Sequence, residues 1–420
     1  MRELMVRISE FLTRRRWWVL AAWLVVVVAA LPFSAKQTDH LVGGGFTVPG
    51  SQSQSVEDKL ASDFPPSAAA GIGAVLAAAP EATPAQIDAG VARLSQAAKE
   101  QGQVTLTKTN AERARSELAS KDVAVVPLNS DLPASELSDP ATDLRKSLDP
   151  GTEHDGVTPY LTGQPAAYAG LQELSKQDLA QAETTGFPIV ALILLAVFGS
   201  AAAASLPLAL GLFSVLITGA LIYLLSQQMD MSVFVTNMAS MVGIGVAVDY
   251  SLFILVRFRE EVRAGKPARE ARATALSTSG LAVVFSGMAV VISLAGLFMV
   301  NNQALRSMAL GAMIVVAVAV LVASTLLPVL IRLLGKRVEA GGMIWGIITV
   351  LRHPFRRRRR RGSTDPERLR FWQRWTERVM KRPVVSILAV SAVLLTLAIP
   401  VLDMQTGNSA IEQFPKNHDV

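Results

Sequence analysis

Residues 243–261 read GIGVAVDYSLFILVRFREE, a stretch that places the carboxylate of Asp249 inside an apolar run beginning near Val233. Arg257 marks the end of the apolar part, eight residues or about 12 Å of helix beyond Asp249. An aspartate near the centre of a membrane span costs about 2.5–3.5 kcal/mol even on lenient insertion scales. The stretch therefore indicates a membrane helix whose aspartate is kept for a function or for a partner.

The sequence around this stretch has the composition of a polytopic membrane protein. Hydrophobic residues make up 51% of the 420 residues, and they gather in runs of about twenty, the length that crosses a hydrocarbon core. We therefore predict an α-helical membrane fold with about seven transmembrane helices. The predicted spans cover residues 17–33, 186–204, 206–226, 232–256, 279–300, 306–334 and 384–402.

The first span has an alternative interpretation as a cleaved signal peptide. It is long for a signal peptide, and no small-residue cleavage site follows Phe33. These two features favour an uncleaved helix that stays in the membrane.

A water-soluble insertion separates the first two spans. Residues 36–185 hold 20 acidic and 11 basic residues, unlike the basic remainder of the chain. Alternating helix and strand signals predict a small α/β or α+β domain. The predicted elements are a glycine-rich loop at 43–55, a helix at 83–100 with Thr83 as N-cap and Pro84 in its first turn, a strand at 123–128, a weaker helix at 133–148 broken near Pro140, a short strand at 159–163 and a polar helix at 165–183.

Basic residues set the predicted orientation. Arginines 14–16 precede the first span, six bases lie within 257–280, and six consecutive arginines occupy 356–361. With the N-terminus inside, all three clusters fall on the cytoplasmic side, as the positive-inside rule requires. The run at 356–361 could also contact anionic lipid. Because the bases flank apolar runs, the pattern favours membrane topology over nucleic-acid binding.

The predicted organisation follows from the spans and the charges. The first helix and the last resemble each other: residues 14–36 and 381–405 both run from bases through an apolar segment to a proline and a polar exit. Transporters are often built from such repeats, so we expect a second half to follow. The predicted segments are 1–35, a cytoplasmic N-terminus with helix one; 36–185, the extracytoplasmic domain; 186–334, helices two to six; 335–382, a cytoplasmic arginine-rich loop; 383–403, helix seven; and 404–420, the start of a second extracytoplasmic domain.

The residues around Asp249 favour a proton relay. A carboxyl group in a low-dielectric environment prefers its neutral form, which allows proton capture and release. Tyr250 and Ser286 are the predicted hydrogen-bond partners, and Gly243 and Gly245 are predicted to let another helix pack nearby. The alternative is a structural aspartate paired with a polar group on another helix.

Other chemistries find no support in the sequence. There is no cysteine, and the four histidines lie far apart, so we expect no metal site. No GxxxxGK[ST] motif and no Ser-His-Asp arrangement is found, so neither ATP hydrolysis nor another enzyme activity is expected. We expect no cofactor. A transporter built on this chain would therefore draw on an ion gradient.

The stretch GIGVAVDYSLFILVRFREE resembles the fourth-helix signature of the MMPL family (mycobacterial membrane protein large) in the RND superfamily. GFTVPGSQSQS at 45–55 resembles the family's entry into its first porter domain, and LSTSGLAVVFSGMAVVISLAGL at 276–297 resembles its fifth helix, including Ser286. Helices two to six also resemble a sterol-sensing-type unit. The resemblance covers essentially the whole chain, although family members have about twelve helices and two porter domains.

The resemblance implies export of lipids or other hydrophobic molecules across the bacterial inner (cell) membrane, coupled to proton entry. It also implies that residues 36–185 form a porter-type domain. Asp249 and Tyr250 would be half of the relay, facing an equivalent pair on a tenth helix, with Ser286 beside them. The expected partners are the cargo, protons, the membrane and a second transporter half or another copy of the chain. The alternative is a non-transporting scaffold or a lipid-sensing partner of a separate transporter.

Overall fold

The structure is a computed structural model that describes residues 2–38, 40–42, 50–63, 71–130, 132, 137–335, 338 and 366–403. Among these residues, seven helices are long and apolar enough to cross a membrane. The chain is therefore a multi-pass membrane protein, as its composition predicts. The described residues belong to two units: those up to residue 338 form the first, and residues 366–403 form the second.

The N-terminal part contains two consecutive helices. The amphipathic helix α1 (Arg2–Arg14) ends at a turn on Arg15, and α2 (Arg16–Ala35) is the first membrane-type helix. A two-residue strand, β1 (Leu41–Val42), and the helix α3 (Gln52–Asp63) follow. The prediction of a loop at 43–55 is wrong from Gln52 onward, because the chain is helical there. Residues 43–49 lie outside the described residues.

The soluble domain is built on a three-stranded antiparallel sheet with the order β3-β2-β4. Leu76, Leu94, Leu118, Leu144 and Leu161 are almost fully buried in its core. Its elements are β2 (Ile72–Ala78), α4 (Pro84–Gln101), α5 (Lys108–Lys121), β3 (Val123–Pro127), α6 (Ser138–Leu148) and β4 (Val157–Gly163). An α/β domain between the first two membrane-type helices therefore agrees with the prediction.

The predicted elements of this domain are mostly confirmed. At the start of α4 the Thr83 N–H donates to Gln86 Oε1 at 2.7 Å, a capping interaction consistent with Thr83 as N-cap. The break predicted near Pro140 is wrong, because Pro140 lies in the first turn of α6, where a missing N–H costs nothing. Residues 133–136 of that predicted helix lie outside the described residues. The central strand β2 and the helix α5 were not predicted.

Helix α7 (Gln164–Phe198) connects the soluble domain directly to the membrane-type bundle. It begins straight after β4 at Gly163, whose φ is +102° and where a Cβ atom would lie 1.8 Å from the Gly71 carbonyl oxygen. Only glycine fits such a position. The sequence predicts a polar helix that ends at 183 and a separate apolar span that begins at 186, but the two form one helix. The change from polar to apolar residues marks where the chain enters the membrane and not where the helix ends.

The next helix, α8 (Ala201–Ser226), follows after two residues. The break between the spans predicted at 186–204 and 206–226 lies instead at Gly199 and Ser200. Gly199 adopts a φ of +65°, and its N–H donates to the Leu195 carbonyl oxygen at 2.8 Å, which ends α7. Pro207 lies inside α8.

Three further apolar segments complete the first unit. Leu255, Val315, Val322 and Leu327 are fully buried in the core of this bundle. The basic segment at 257–280, which lies between two predicted spans, is largely helical. Only residues 264–267 separate the two helices. The segments are α9 (Phe234–Arg263), α10 (Ala268–Ala275) joined by a π-helical turn (Leu276–Gly280) to α11 (Leu281–Ala295) and a 3₁₀ turn (Gly296–Met299), and α12 (Gln303–Leu334).

A short parallel strand pair ties the start of α9 to the segment that leads into the soluble domain. β5 (Met231–Ser232) pairs with β1, and the Val233 N–H donates to the Val42 carbonyl oxygen at 3.0 Å. Leu41 and Met231 are completely buried at this junction.

The second unit contains two described helices, α13 (Pro366–Lys381) and α14 (Pro383–Ala398), and α14 continues into a 3₁₀ turn (Ile399–Asp403). This agrees with the helix predicted at 383–403. The arginine run at 356–361 and the predicted segment 404–420 lie outside the described residues.

Candidate functional site

Asp249 lies midway along the 30-residue helix α9, and its side chain is exposed. It belongs to a stripe of residues spaced at helical intervals, in which Met241 is 71% and Phe253 is 63% exposed and Gly245 lies between Met241 and Asp249. We call this stripe (Met241, Gly245, Asp249 and Phe253) the open face of α9. The carboxylate therefore stands in the middle of an uncovered apolar surface.

Tyr250 faces the interior of the bundle instead. One residue along a helix is a rotation of about 100°, so neighbours in sequence point in different directions. Only 7% of Tyr250 is exposed, and the residue belongs to the bundle core. A Cβ atom at Gly287 of α11 would lie 3.6 Å from Tyr250 Oη and 2.4 Å from Val320 Cγ2 of α12. The phenol thus fills space that Gly287 leaves between α9, α11 and α12.

Ser286 is exposed on α11 and directly precedes Gly287. Tyr250 therefore lies close to Gly287, the residue that follows Ser286 on α11. Within the described part of the chain, no hydrogen bond joins the side chains of Asp249, Tyr250 and Ser286. The three residues lie on adjacent helices, and their assignment to a relay stays a prediction.

The two glycines predicted to allow helix packing differ in their surroundings. Gly243 is buried, and a Cβ atom there would lie 2.4 Å from Val315 Cγ2 and 3.3 Å from Val215 Cγ2. Its missing side chain lets α8 and α12 approach α9 closely. Gly245 has nothing within 4 Å of its would-be Cβ atom, so it lies on the open face.

The charged end of the signature forms an ion-pair network at the C-terminal end of α9. Glu261 is almost completely buried and lies between two cations: Arg257 Nη2 is 2.7 Å from its Oε1 atom, and Lys266 Nζ is 2.8 Å from its Oε2 atom. This network links α9 to the connection that precedes α10. Sequence reasoning used these cations only to set the orientation.

Arg259 connects α9 to the end of α7 and was not singled out from the sequence. Its Nη1 atom donates to the Phe198 carbonyl oxygen at 3.1 Å, and its guanidinium carbon lies 5.5 Å from the centre of the Phe198 ring. The last carbonyl oxygens of a helix lack partners and carry partial negative charge, so a buried cation there is stabilising. The motif RFREE was the available signal, but it does not say which arginine is buried.

The arrangement offers one chemical function in particular. A charged carboxylate halfway along an apolar membrane helix is energetically unfavourable unless it is protonated or paired with another polar group. It could therefore exchange a proton when its surroundings change. Among the described residues, no group of three His, Asp or Glu side chains is placed to hold a metal ion.

Comparison with known proteins identifies similar transporters. The model of the MMPL family matches residues 45–386. The "Mycolic acid-containing lipids exporter MmpL11" of Mycolicibacterium smegmatis is 40% identical over 99% of this chain, which covers 43% of that protein. The "Heme uptake protein MmpL11" of Mycobacterium tuberculosis H37Rv is also 40% identical, over 99% of this chain and 42% of that protein. The "Trehalose monomycolate exporter MmpL3" of the same strain is 31% identical, over 63% of this chain and 29% of that protein.

Among solved structures, SecDF of Thermus thermophilus, described as a translocon-associated membrane protein, aligns with a TM-score of 0.43 and 16% identity. The alignment covers 76% of this chain and 38% of that one. The chain spans less than half the length of the curated relatives it matches.

Proposed function

The chain belongs to the MMPL family, and from that premise we propose that it forms part of an exporter of lipids or other hydrophobic molecules, driven by proton entry across the inner membrane. The observation that carries the proposal is the carboxylate of Asp249 halfway along α9 on an open apolar face. The names of the relatives support the cargo class, since they refer to mycolic acid-containing lipids, to trehalose monomycolate and to heme.

In the proposed orientation the N-terminus is cytoplasmic and the α/β domain lies outside the cytoplasm. The positive-inside rule supports it, because Arg14 to Arg16 and the bases at the C-terminal end of α9 then lie on the same side. The soluble domain, which we propose to be a porter domain, is attached through the continuous helix α7 and the β1–β5 pair. A movement of α9 would be transmitted to the soluble domain through these two connections.

The proposed relay gives each residue a role. Asp249 takes up a proton from one side of the membrane and releases it to the other. Tyr250 and Ser286 are the nearby hydroxyl groups that would exchange hydrogen bonds with the carboxyl group. Protonation removes the charge, so the cost of exposing the open face to an apolar environment falls. The equilibrium between conformations that bury Asp249 differently would then depend on the proton gradient.

The open face also suggests how a complete transporter is assembled. The relatives are more than twice as long as the part that this chain matches. We propose that a second transporter half covers the open face of α9, and that it supplies the polar partner of Asp249. Apolar residues on both sides of the carboxylate support this assignment, because they would pack against such a partner.

The test is an export assay in a strain that lacks the gene. The strain receives the wild-type gene, Asp249→Asn or Asp230→Asn, and the extractable envelope lipids are profiled with and without a protonophore. Asp230 serves as control because it is an exposed carboxylate outside the helices of the bundle. We expect Asp249→Asn to reproduce the deletion profile while its membrane level stays normal, and Asp230→Asn to restore export.

Two outcomes would contradict the proposal. Normal export by Asp249→Asn would exclude the relay, and wild-type export that persists with the protonophore would exclude proton coupling. A deletion strain with unchanged lipids would favour the scaffold function over transport.

A further inference from the structure

The N-terminal helix α1 lies across the ends of α10, the π-helical turn and α12. Two polar contacts hold it there. The guanidinium group of Arg332 donates to the Thr13 carbonyl oxygen, and Arg269 Nη2 is 2.8 Å from Glu10 Oε1. Thr13 is buried in this contact. Helix α1 is therefore docked onto the bundle by arginines of α10 and α12.

A third arginine, Arg272, lies one turn after Arg269 on α10 and is half-buried. Arg332 and Arg269 lie close enough to Arg272 for their positive charges to act on it. Its Nε atom is buried and has no hydrogen-bond acceptor among the described residues. We call Arg269, Arg272 and Arg332 the three-arginine cluster.

The charges within this cluster are not balanced. Glu10 pairs with Arg269, and their side chains are 50% and 79% exposed, so water weakens this attraction. Guanidinium groups stay charged at every physiological pH, so the cluster cannot relieve its repulsion by losing a proton. A buried donor without an acceptor is destabilising in addition. An anion bound between the arginines would remove both penalties.

We propose that the three-arginine cluster binds a phosphate group beneath α1. Guanidinium groups bind phosphate through paired N–H donors in a fixed geometry, and several arginines around one phosphate form a strong site. The group could come from the headgroup of an anionic phospholipid or from free phosphate. The site is separate from Asp249 and from the proposed relay.

The position of the cluster fits the level of a membrane surface. Trp17 and Trp18, just after α1, are 64% and 78% exposed, and tryptophan is enriched where membrane and water meet. Arg15 lies over the exposed ring of Phe11, at 5.3 Å from the ring centre. In the proposed orientation this is the cytoplasmic leaflet, whose anionic lipids attract basic segments. A phosphate held there would link α10, α12 and α1.

The test uses the full chain purified in an uncharged detergent. Thermal unfolding is followed while phosphatidylglycerol, phosphatidylcholine or inorganic phosphate is added, and bound lipid is counted by native mass spectrometry. The variants are Arg272→Gln, Arg332→Gln and Arg272→Lys. Arg263→Gln is the matched control, because Arg263 is an exposed arginine at the end of α9. Arg272→Lys keeps the positive charge, so it provides the binding measurement if Arg272→Gln does not fold.

We expect phosphatidylglycerol to stabilise the wild type and Arg263→Gln, and phosphatidylcholine to do so much less. The apparent affinity should fall about tenfold or more in Arg272→Gln and Arg332→Gln, the change that corresponds to one lost charge-assisted hydrogen bond. Arg272→Lys should bind with intermediate affinity because it lacks the paired donors. If inorganic phosphate alone gives the full stabilisation, the ligand is free phosphate.

Equal affinity for phosphatidylglycerol in the wild type, Arg272→Gln and Arg332→Gln would overturn the proposal. Equal stabilisation by phosphatidylcholine, with no effect of inorganic phosphate, would overturn it as well. In either case the arginines would serve only to dock α1 and to set the orientation of the chain.

Discussion

Asp249 and Tyr250 are adjacent in the sequence but face different surroundings: the Asp249 side chain is exposed on the open face of α9, whereas only 7% of Tyr250 is exposed. The pair therefore combines a group that is free to meet a partner with a group that is part of the core. Tyr250 fixes the rotation of α9 against α11 and α12, and this rotation determines where the carboxylate points.

Substitutions at these two positions should differ in their effect on stability. Tyr250→Ala removes a large buried side chain and should cost about 3–5 kcal/mol, as other aromatic truncations in cores do. Asp249→Asn keeps the shape of an exposed side chain and should leave the unfolding temperature nearly unchanged. Chemical denaturation in detergent measures both. A large loss of stability in Asp249→Asn would mean that the carboxylate is structural.

The two glycines of the signature provide a matched pair. An alanine Cβ at Gly243 would lie 2.4 Å from Val315 Cγ2, and a β-branched valine on a packed helix cannot turn away. Gly243→Ala should therefore destabilise the chain by about 1–3 kcal/mol, the usual cost of overpacking. Gly245→Ala meets nothing and should gain up to about 1 kcal/mol of helix propensity. Equal effects of the two substitutions on thermal unfolding would contradict this assignment of the faces.

Arg259 should contribute more to stability than the exposed Arg263 at the end of the same helix. Arg259→Gln removes the charged donor from the Phe198 carbonyl oxygen and the cation from the Phe198 ring, so we expect a loss of about 1.5–3 kcal/mol. Arg259→Lys should restore only part of this, since an ammonium group cannot stack as a guanidinium group does. Thermal unfolding, with the exposed Arg263→Gln as control, measures the difference. Equal values for the two glutamine variants would exclude the anchoring role.

Much of the fold can be predicted because apolar runs of membrane length are a strong signal. The ends of helices are harder to predict. A change between apolar and polar residues shows where the chain crosses the membrane surface and not where a helix ends. Helix α7 continues from polar to apolar sequence without a break, and α9 extends past Arg257 to Arg263. The strand β2 was missed because its sequence, IGAVLAA, is rich in glycine and alanine and lacks alternation.

The candidate site was predicted in part for a similar reason. A carboxylate in an apolar run can be found from sequence, so Asp249 was identified with its neighbours. The direction in which a helix faces depends on tertiary contacts, so neither the exposure of Asp249 nor the different surroundings of Gly243 and Gly245 could be predicted. The buried contact of Arg259 joins residues 61 positions apart and has no local signal.

The link between the soluble domain and α9 should depend on Ser307. Its Oγ atom accepts a hydrogen bond from the Ser232 N–H at 3.1 Å, in β5, two residues before α9 begins. Ser307→Ala removes this acceptor from a buried N–H, which should cost about 1–3 kcal/mol and loosen the β1–β5 pair. Hydrogen exchange of the Ser232 and Val233 amides should therefore become faster in this variant. Ser205→Ala is the control, because the exposed Ser205 hydroxyl bonds only to the Ala202 carbonyl oxygen of its own helix. If exchange at Ser232 is the same in both variants, Ser307 does not hold this junction, and α7 would be the remaining route from α9 to the soluble domain.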